Sequence, residues 1–99
     1  MRPADRGTAM SKDTRVAVIS IIVENENVTH TINEILHEYR AFIIGRMGIP
    51  YREKGISIIS VAVDAPQEMI SALSGKIGRL PGINAKTAYS NVITKAEEK

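Results

Sequence analysis

Two groups of side chains in this 99-residue chain have types and spacings that could do chemistry. The first is His30, Glu34 and His37. On a helix these positions share one face, so two imidazoles and a carboxylate could be offered to nickel or zinc. The chain has only 2 histidines and no cysteine, a thin donor set for a metal centre. The simpler reading is a solvated helix face, and no metal or other cofactor is assigned.

The second group lies in IIGRMGIPYREKG, residues 43–55. Here Arg46, a forked cation, sits with Met47 inside an apolar run, between Gly45 and Gly48. Tyr51, Arg52 and Lys54 surround the turn that follows. Such a cluster suits a carboxylate ligand, an acidic partner or a subunit contact. Glu53 could instead neutralise it. Glycines in a strand point to a bulge or to a closely approaching backbone. Gly45, Arg46, Met47, Gly48, Tyr51, Arg52 and Lys54 are therefore the ligand or interface candidates, and no catalytic residue is assigned.

Two other motifs carry less. A phosphate-holding loop after the first strand needs converging backbone amides, whereas ENEN at residues 24–27 has two repelling carboxylates and no glycine. SGKIGRLPG contains a Gly-Lys pair but lacks the upstream glycine of a nucleotide-binding loop. It reads as helix. Ser71, Gly75 and Gly78 form a small-residue stripe there, expected to pack closely on another backbone, either the sheet or another subunit.

The elements that must position these residues follow from composition and periodicity. With 43% hydrophobic but only 4% aromatic residues, the core must be aliphatic. A formal charge of +2 is too small for a nucleic-acid footprint. The absence of cysteine excludes disulfides, thiolate zinc, iron–sulfur ligation and a cysteine nucleophile. No apolar run approaches the roughly 20 residues of a membrane span. A cytoplasmic protein with no membrane and no direct nucleic-acid contact is expected.

Residues 1–14 are polar and aperiodic, and read as a disordered tail. RVAVISIIVE, residues 15–24, is a β-branched strand. Val28, Ile32, Ile35, Leu36 and Tyr39 then recur at helical spacing behind Asn27 as the N-cap. Residues 41–50 return to strand, with Ala41, Ile43, Gly45, Met47 and Ile49 on one face and Phe42, Ile44, Arg46 and Gly48 on the other. Pro50 is expected to end that ladder. A turn and a second β-branched run, ISIISVAVDA, complete a hairpin. Pro66 opens a second helix with Met69, Ile70, Leu73, Ile77 and Leu80 as its stripe, stopped by Pro81 and Gly82. INAKTAYSNVI is the last strand. The order is β-α-β-β-α-β, an α+β ferredoxin-like plan with a four-stranded antiparallel sheet and both helices on one face. The domain spans 15–93, and 94–99 is a C-terminal tail.

Both faces of this sheet are apolar. Ala17, Ile19, Ile21 and Val23 alternate with Val16, Val18, Ser20 and Ile22. Ile59, Val61 and Val63 alternate with Ile56, Ile58, Ser60 and Ala62. Two helices cover one face only, so a homo-oligomer, dimer or tetramer, is expected to bury the other.

VISIIVE, INEILHEY, IIGRMGIPYREKGISIISV, ISALSGKIGRLPG and KTAYS together resemble the ACT-like regulators of the iron-only hydrogenase system, a likeness spanning residues 16–90. The LPGI that closes the second helix is also similar to ACT and related regulatory domains. The resemblance implies a non-enzymatic regulatory module that oligomerises and senses a small-molecule effector between subunits, with a further protein partner possible. The alternatives are a structural interaction module without ligand and a metal-responsive regulator. Acting on DNA directly would require a recognition helix or ribbon, which the element order does not supply.

Overall fold

A computed structural model of the chain describes residues 13–96. The elements are β1 (Thr14–Val23), a 3-10 turn (Glu26–Val28), α1 (Thr29–Glu38), a 3-10 turn (Arg40–Phe42) and β2 (Ile43–Tyr51). A third 3-10 turn (Arg52–Lys54), β3 (Ile56–Ala65), α2 (Gln67–Gly78) and β4 (Ile83–Thr94) follow. The strands pair antiparallel in one sheet, in the order β2-β3-β1-β4. This is the ferredoxin-like α+β arrangement. Most of the tail read at 1–14 and the last residues of that read at 94–99 lie outside the described residues. Thr14 and Thr94 pair at the ends of β1 and β4.

Strict alternation makes β1 and β3 the spine of the core. Ala17, Ile19, Ile21, Val23, Ile59, Val61, Val63 and Ala65 are buried on the side the helices cover. Against them pack Val28, Ile32, Leu36 and Tyr39 from α1 and its flanks, and Ile70, Leu73 and Ile77 from α2. Lys76 ties the helices together, with its Nζ 3.3 Å from Glu38 Oε1 and 5.1 Å from the centroid of the Tyr39 ring.

Local chemistry departs from the sequence reading at four places. Asn25, not Asn27, caps the first helical segment: its Oδ1 accepts the Asn27 N–H at 3.0 Å, because a 3-10 turn precedes α1. Ala41 and Phe42 belong to a 3-10 turn rather than a strand. Pro50 does not end the β2 ladder, since Pro50 pairs with Ser57 and Tyr51 with Ile56. β2 is an edge strand, where a residue without N–H is tolerated. Finally, a Cβ on Gly78 would meet nothing within 4 Å, and one on Gly75 only the Arg79 side chain, at 3.4 Å or more. The small-residue stripe therefore does not exist to admit the sheet.

The far end of the sheet is held by side chains. Between Arg15 and Ala17 the β1–β4 register jumps from Ile93 to Tyr89, and Arg15 spans the bulge. Its Nε and Nη2 donate to the Ser90 carbonyl at 3.1 and 2.6 Å, and its Nη1 donates to Gln67 Oε1 at 3.1 Å. Asp13 accepts the Ala96 N–H at 3.0 Å and lies 3.3 Å from Lys95 Nζ. The Ala96 hydrogen bond first, and then Lys95, hold the Asp13 carboxyl below its ordinary pKa of 3.8.

Three outcomes follow. Gly82 has φ +72°, and an added Cβ would lie 2.7 Å from Asn25 Cβ, so Gly82→Ala is expected to cost about 2 kcal/mol or more in urea denaturation. Gly78→Ala, in open space at the end of α2, is expected to gain up to about 1 kcal/mol. Because the Asp13 pKa is lowered on folding, its contribution is present above the ordinary carboxylate pKa and lost as pH falls through the lowered value. Asp13→Asn should therefore melt below wild type at pH 7, with the two curves converging in acid.

Candidate functional site

The question posed by the glycine-flanked Arg46 is answered by a bulge. Ile43 pairs with Val63, but Gly45 pairs with Ala62, which leaves Ile44 as an extra residue. Paired residues on adjacent strands point to the same side, so the register decides which face each side chain joins. Arg46 pairs with Val61 and Gly48 with Ile59, both buried under the helices. Gly45, Met47, Ile49 and Tyr51 pair with Ala62, Ser60, Ile58 and Ile56, on the open face.

The uninterrupted alternation read from the sequence is thereby corrected. Ile43 shares the helix side with Arg46 and Gly48, not the row of Gly45, Met47 and Ile49. The extra residue reverses the phase. The seven candidate residues do not converge on one point: Arg46 and Gly48 face α1, Gly45, Met47 and Tyr51 face outward, and Arg52 and Lys54 sit at the hairpin tip.

On the helix side, β2 extends beyond the cover of α1 and leaves a groove. Arg46 bridges it, with its Nη2 donating to Asn33 Oδ1 at 2.7 Å. The side chains divide the groove into two hollows, of about 350 and 270 Å³. Leu36, His37, Arg40 and Ile43 line the first, and Thr29, Gly48, Ile49, Pro50, Ser57 and Ile59 the second, with Asn33 and Arg46 lining both. A Cβ on Gly48 would meet nothing within 4 Å, so the glycine widens the second hollow.

The electrostatics of this groove favour an anion. Among the described residues no acidic side chain lines either hollow, and Arg46 has no ion pair within 4.0 Å, with Glu53 or any other carboxylate. Arg40 donates to the His37 carbonyl at 2.9 Å, which places its charge at the end of α1 beside the first hollow. Asn33 neutralises no charge. It orients a guanidinium that has further N–H groups beyond the one it donates to Asn33.

The metal donors read from the sequence do not assemble. His30 Nε2 lies 3.3 Å from Glu34 Oε2 on an exposed helix surface, while His37 faces the groove. Among the described residues no three His, Cys, Asp or Glu side chains come together. The groove residues missed by sequence reasoning, Thr29, Asn33 and Arg40, lie with His37 on one shoulder of the buried α1 stripe. Their spacing of four, four and three was visible in the sequence. What was not visible is that β2 ends up beside that shoulder.

On the other side, the open face is uncovered. Val16, Ile22, Ile58, Ile49 and Met47 are 39, 41, 39, 46 and 53% exposed, large values for neighbouring apolar side chains.

Comparison with known proteins adds four relationships. The family model TM1266-like, described as "Iron-only hydrogenase system regulator, putative", matches residues 15–87. A Saccharolobus solfataricus protein named "Putative nickel-responsive regulator" is 30% identical over 66 residues, 67% of this chain and 49% of that protein. The chain thus spans about half the length of this curated relative. Among solved structures, Thermotoga maritima TM1266 superposes with a TM-score of 0.73 at 34% identity, covering 77% of this chain and 96% of that one. A formyltetrahydrofolate deformylase from Pseudomonas putida KT2440 superposes with a TM-score of 0.58 at 14% identity, over 78% of this chain and 29% of that one. This last match reports fold alone.

Because Arg46 makes one exposed hydrogen bond and packs into no core, Arg46→Ala is expected to lower unfolding free energy by no more than about 1 kcal/mol. A loss above about 3 kcal/mol in chemical denaturation would make Arg46 a structural residue.

Proposed function

The chain belongs to the TM1266-like family of iron-only hydrogenase system regulators, and on that premise we propose that it is an oligomeric sensor domain whose assembly or partner contact changes when a small molecule occupies the Arg46 groove. The family description and the name of the curated relative both point to regulation rather than catalysis. No helix of the described residues is long and apolar enough to cross a membrane.

One observation carries the proposal: a guanidinium held by a neutral amide and unpaired with any carboxylate among the described residues, in a groove of small-ligand size. A purely structural arginine would be expected to pair with a carboxylate or to lie free in solvent. This one is positioned and left with donors to spare. The groove also lies on an edge strand, so an occupant would touch β2 and α1 together. Binding there would alter the strand edge and the rim of the open face, both of which a second subunit would contact. A change at the groove would thus be transmitted to assembly through β2 itself. If the protein regulates transcription, another chain contacts DNA.

The relative's name raises a metal-responsive reading, but the separated His30 and His37 supply no observation in its favour. The structural module without ligand leaves Arg46 and its acid-free groove without a purpose.

Native mass spectrometry of protein purified from its own host tests both halves of the proposal. An assembly retaining a small molecule is expected, with the added mass lost in Arg46→Ala. Equal mass, equal assembly and equal retention in wild type and variant would overturn it. Ile22→Lys is expected to fold normally and dissociate, because it places a charge on the open face without touching the helix-covered core. An unchanged oligomer with normal melting would leave that face to solvent.

A further inference from the structure

The rows of the open face are complementary to themselves, and we propose that a second copy of this chain stacks on it about a two-fold axis running across the strands. The inference rests on the assembly reading above and specifies its geometry.

Cross-strand register fixes the rows. Ile49, Ile58, Ile22 and Asn84 stand abreast on β2, β3, β1 and β4. Two residues along come Met47, Ser60, Ser20 and Lys86, and two further along Gly45, Ala62, Val18 and Ala88. The first row is a ridge of three isoleucines, 39 to 46% exposed. The third is a trough of Gly, Ala, Val and Ala.

A half-turn about the middle row lays the ridge of each copy into the trough of the other. Both contacts form at once, as a symmetric pair requires. Facing sheets that interdigitate in this way reach the close packing of a core. The middle row meets itself, and at its centre are the two small hydroxyls, Ser20 and Ser60. Its long members, Met47 and Lys86, fall on the edge strands, where Lys86 can turn its ammonium to water.

The alternative axis, along the strands, fits worse. It would set isoleucine ridge on isoleucine ridge and trough on trough, leaving a void whose lining atoms lose their contacts. Charge also favours the first arrangement. The crosswise half-turn brings the hairpin end, with Arg52 and Lys54, to the end of the opposing face that carries Asp64. At strand spacings of about 4.8 Å and about 3.4 Å per residue, the face is about 500 Å² per copy when flattened. About 1,000 Å² in total, before side-chain relief is added, meets the minimum of about 1,000 Å² that a complementary biological interface needs.

The test exchanges ridge and trough. Ala62→Ile fills the trough where Ile58 of the second copy would sit, and sedimentation velocity is expected to show at least tenfold weaker association with the fold retained by circular dichroism. Adding Ile58→Ala to it moves the ridge into the trough and the trough into the ridge, and association is expected to return to within threefold of wild type. Gly45→Leu, on an edge strand where a Cβ meets nothing within 4 Å, serves if Ala62→Ile does not fold. Wild-type protein that assembles while folded Ala62→Ile or Gly45→Leu assembles equally would overturn the stacking alone. A double variant that folds but stays dissociated would do the same. Wild type that is monomeric at high micromolar concentration would overturn the assembly reading as well.

Discussion

Everything distinctive about this domain depends on an imbalance of cover: two helices bury one side of a four-stranded sheet, and the other side carries a row of exposed aliphatic side chains. β1 shows it most simply. Ala17, Ile19, Ile21 and Val23 are buried to within 1% of full exclusion, whereas Val16 and Ile22, one residue away, are about two-fifths exposed. Burial of apolar area at about 25 cal/mol per Å² stabilises the first set within the chain. Among the described residues nothing buries the second set. A solvent-facing antiparallel sheet normally alternates apolar with polar residues, and β1 and β3 place only Thr14, Ser20, Ser60 and Asp64 on the outer side to that end.

The same constraint explains why β2 carries the candidate site. As an edge strand beyond the cover of α1, it is exposed on both sides from Ile44 onward. A regular strand there would hold one set of side chains to the helices throughout. The bulge at Ile44 instead turns Arg46 inward, to where Asn33 can hold it, and leaves Met47 and Ile49 outward. One extra residue thus gives a single strand a polar groove behind and an apolar ridge in front. On the proposed reading, this would be the physical basis for coupling a bound molecule to an assembly.

Much of this was legible in the sequence. The β-branched runs of β1 and β3 and the stripe from Val28 to Tyr39 each have one period, so element type, order and core follow from pattern alone. The two-sided aliphatic sheet was legible for the same reason. The site was only partly so. Gly45 and Gly48 signalled irregularity around Arg46, but the place of a bulge is decided by pairing between strands, and the phase reversal after Ile44 reassigned Ile43 and separated the candidate residues. Asn33 was hidden because its importance comes from a neighbour 13 positions away. Asn27 was misread as a cap because Asn25, two residues earlier, has the same chemistry and the 3-10 turn selects it.

The central claim is that the exposed side of the sheet is a subunit interface rather than a wet surface. Multi-angle light scattering of wild-type protein, followed over a dilution series from high micromolar downward, addresses it most directly. The account requires a molar mass that is a whole multiple of the chain mass and falls only on dilution. A mass of one chain throughout the series, from protein with normal cooperative melting, would contradict it.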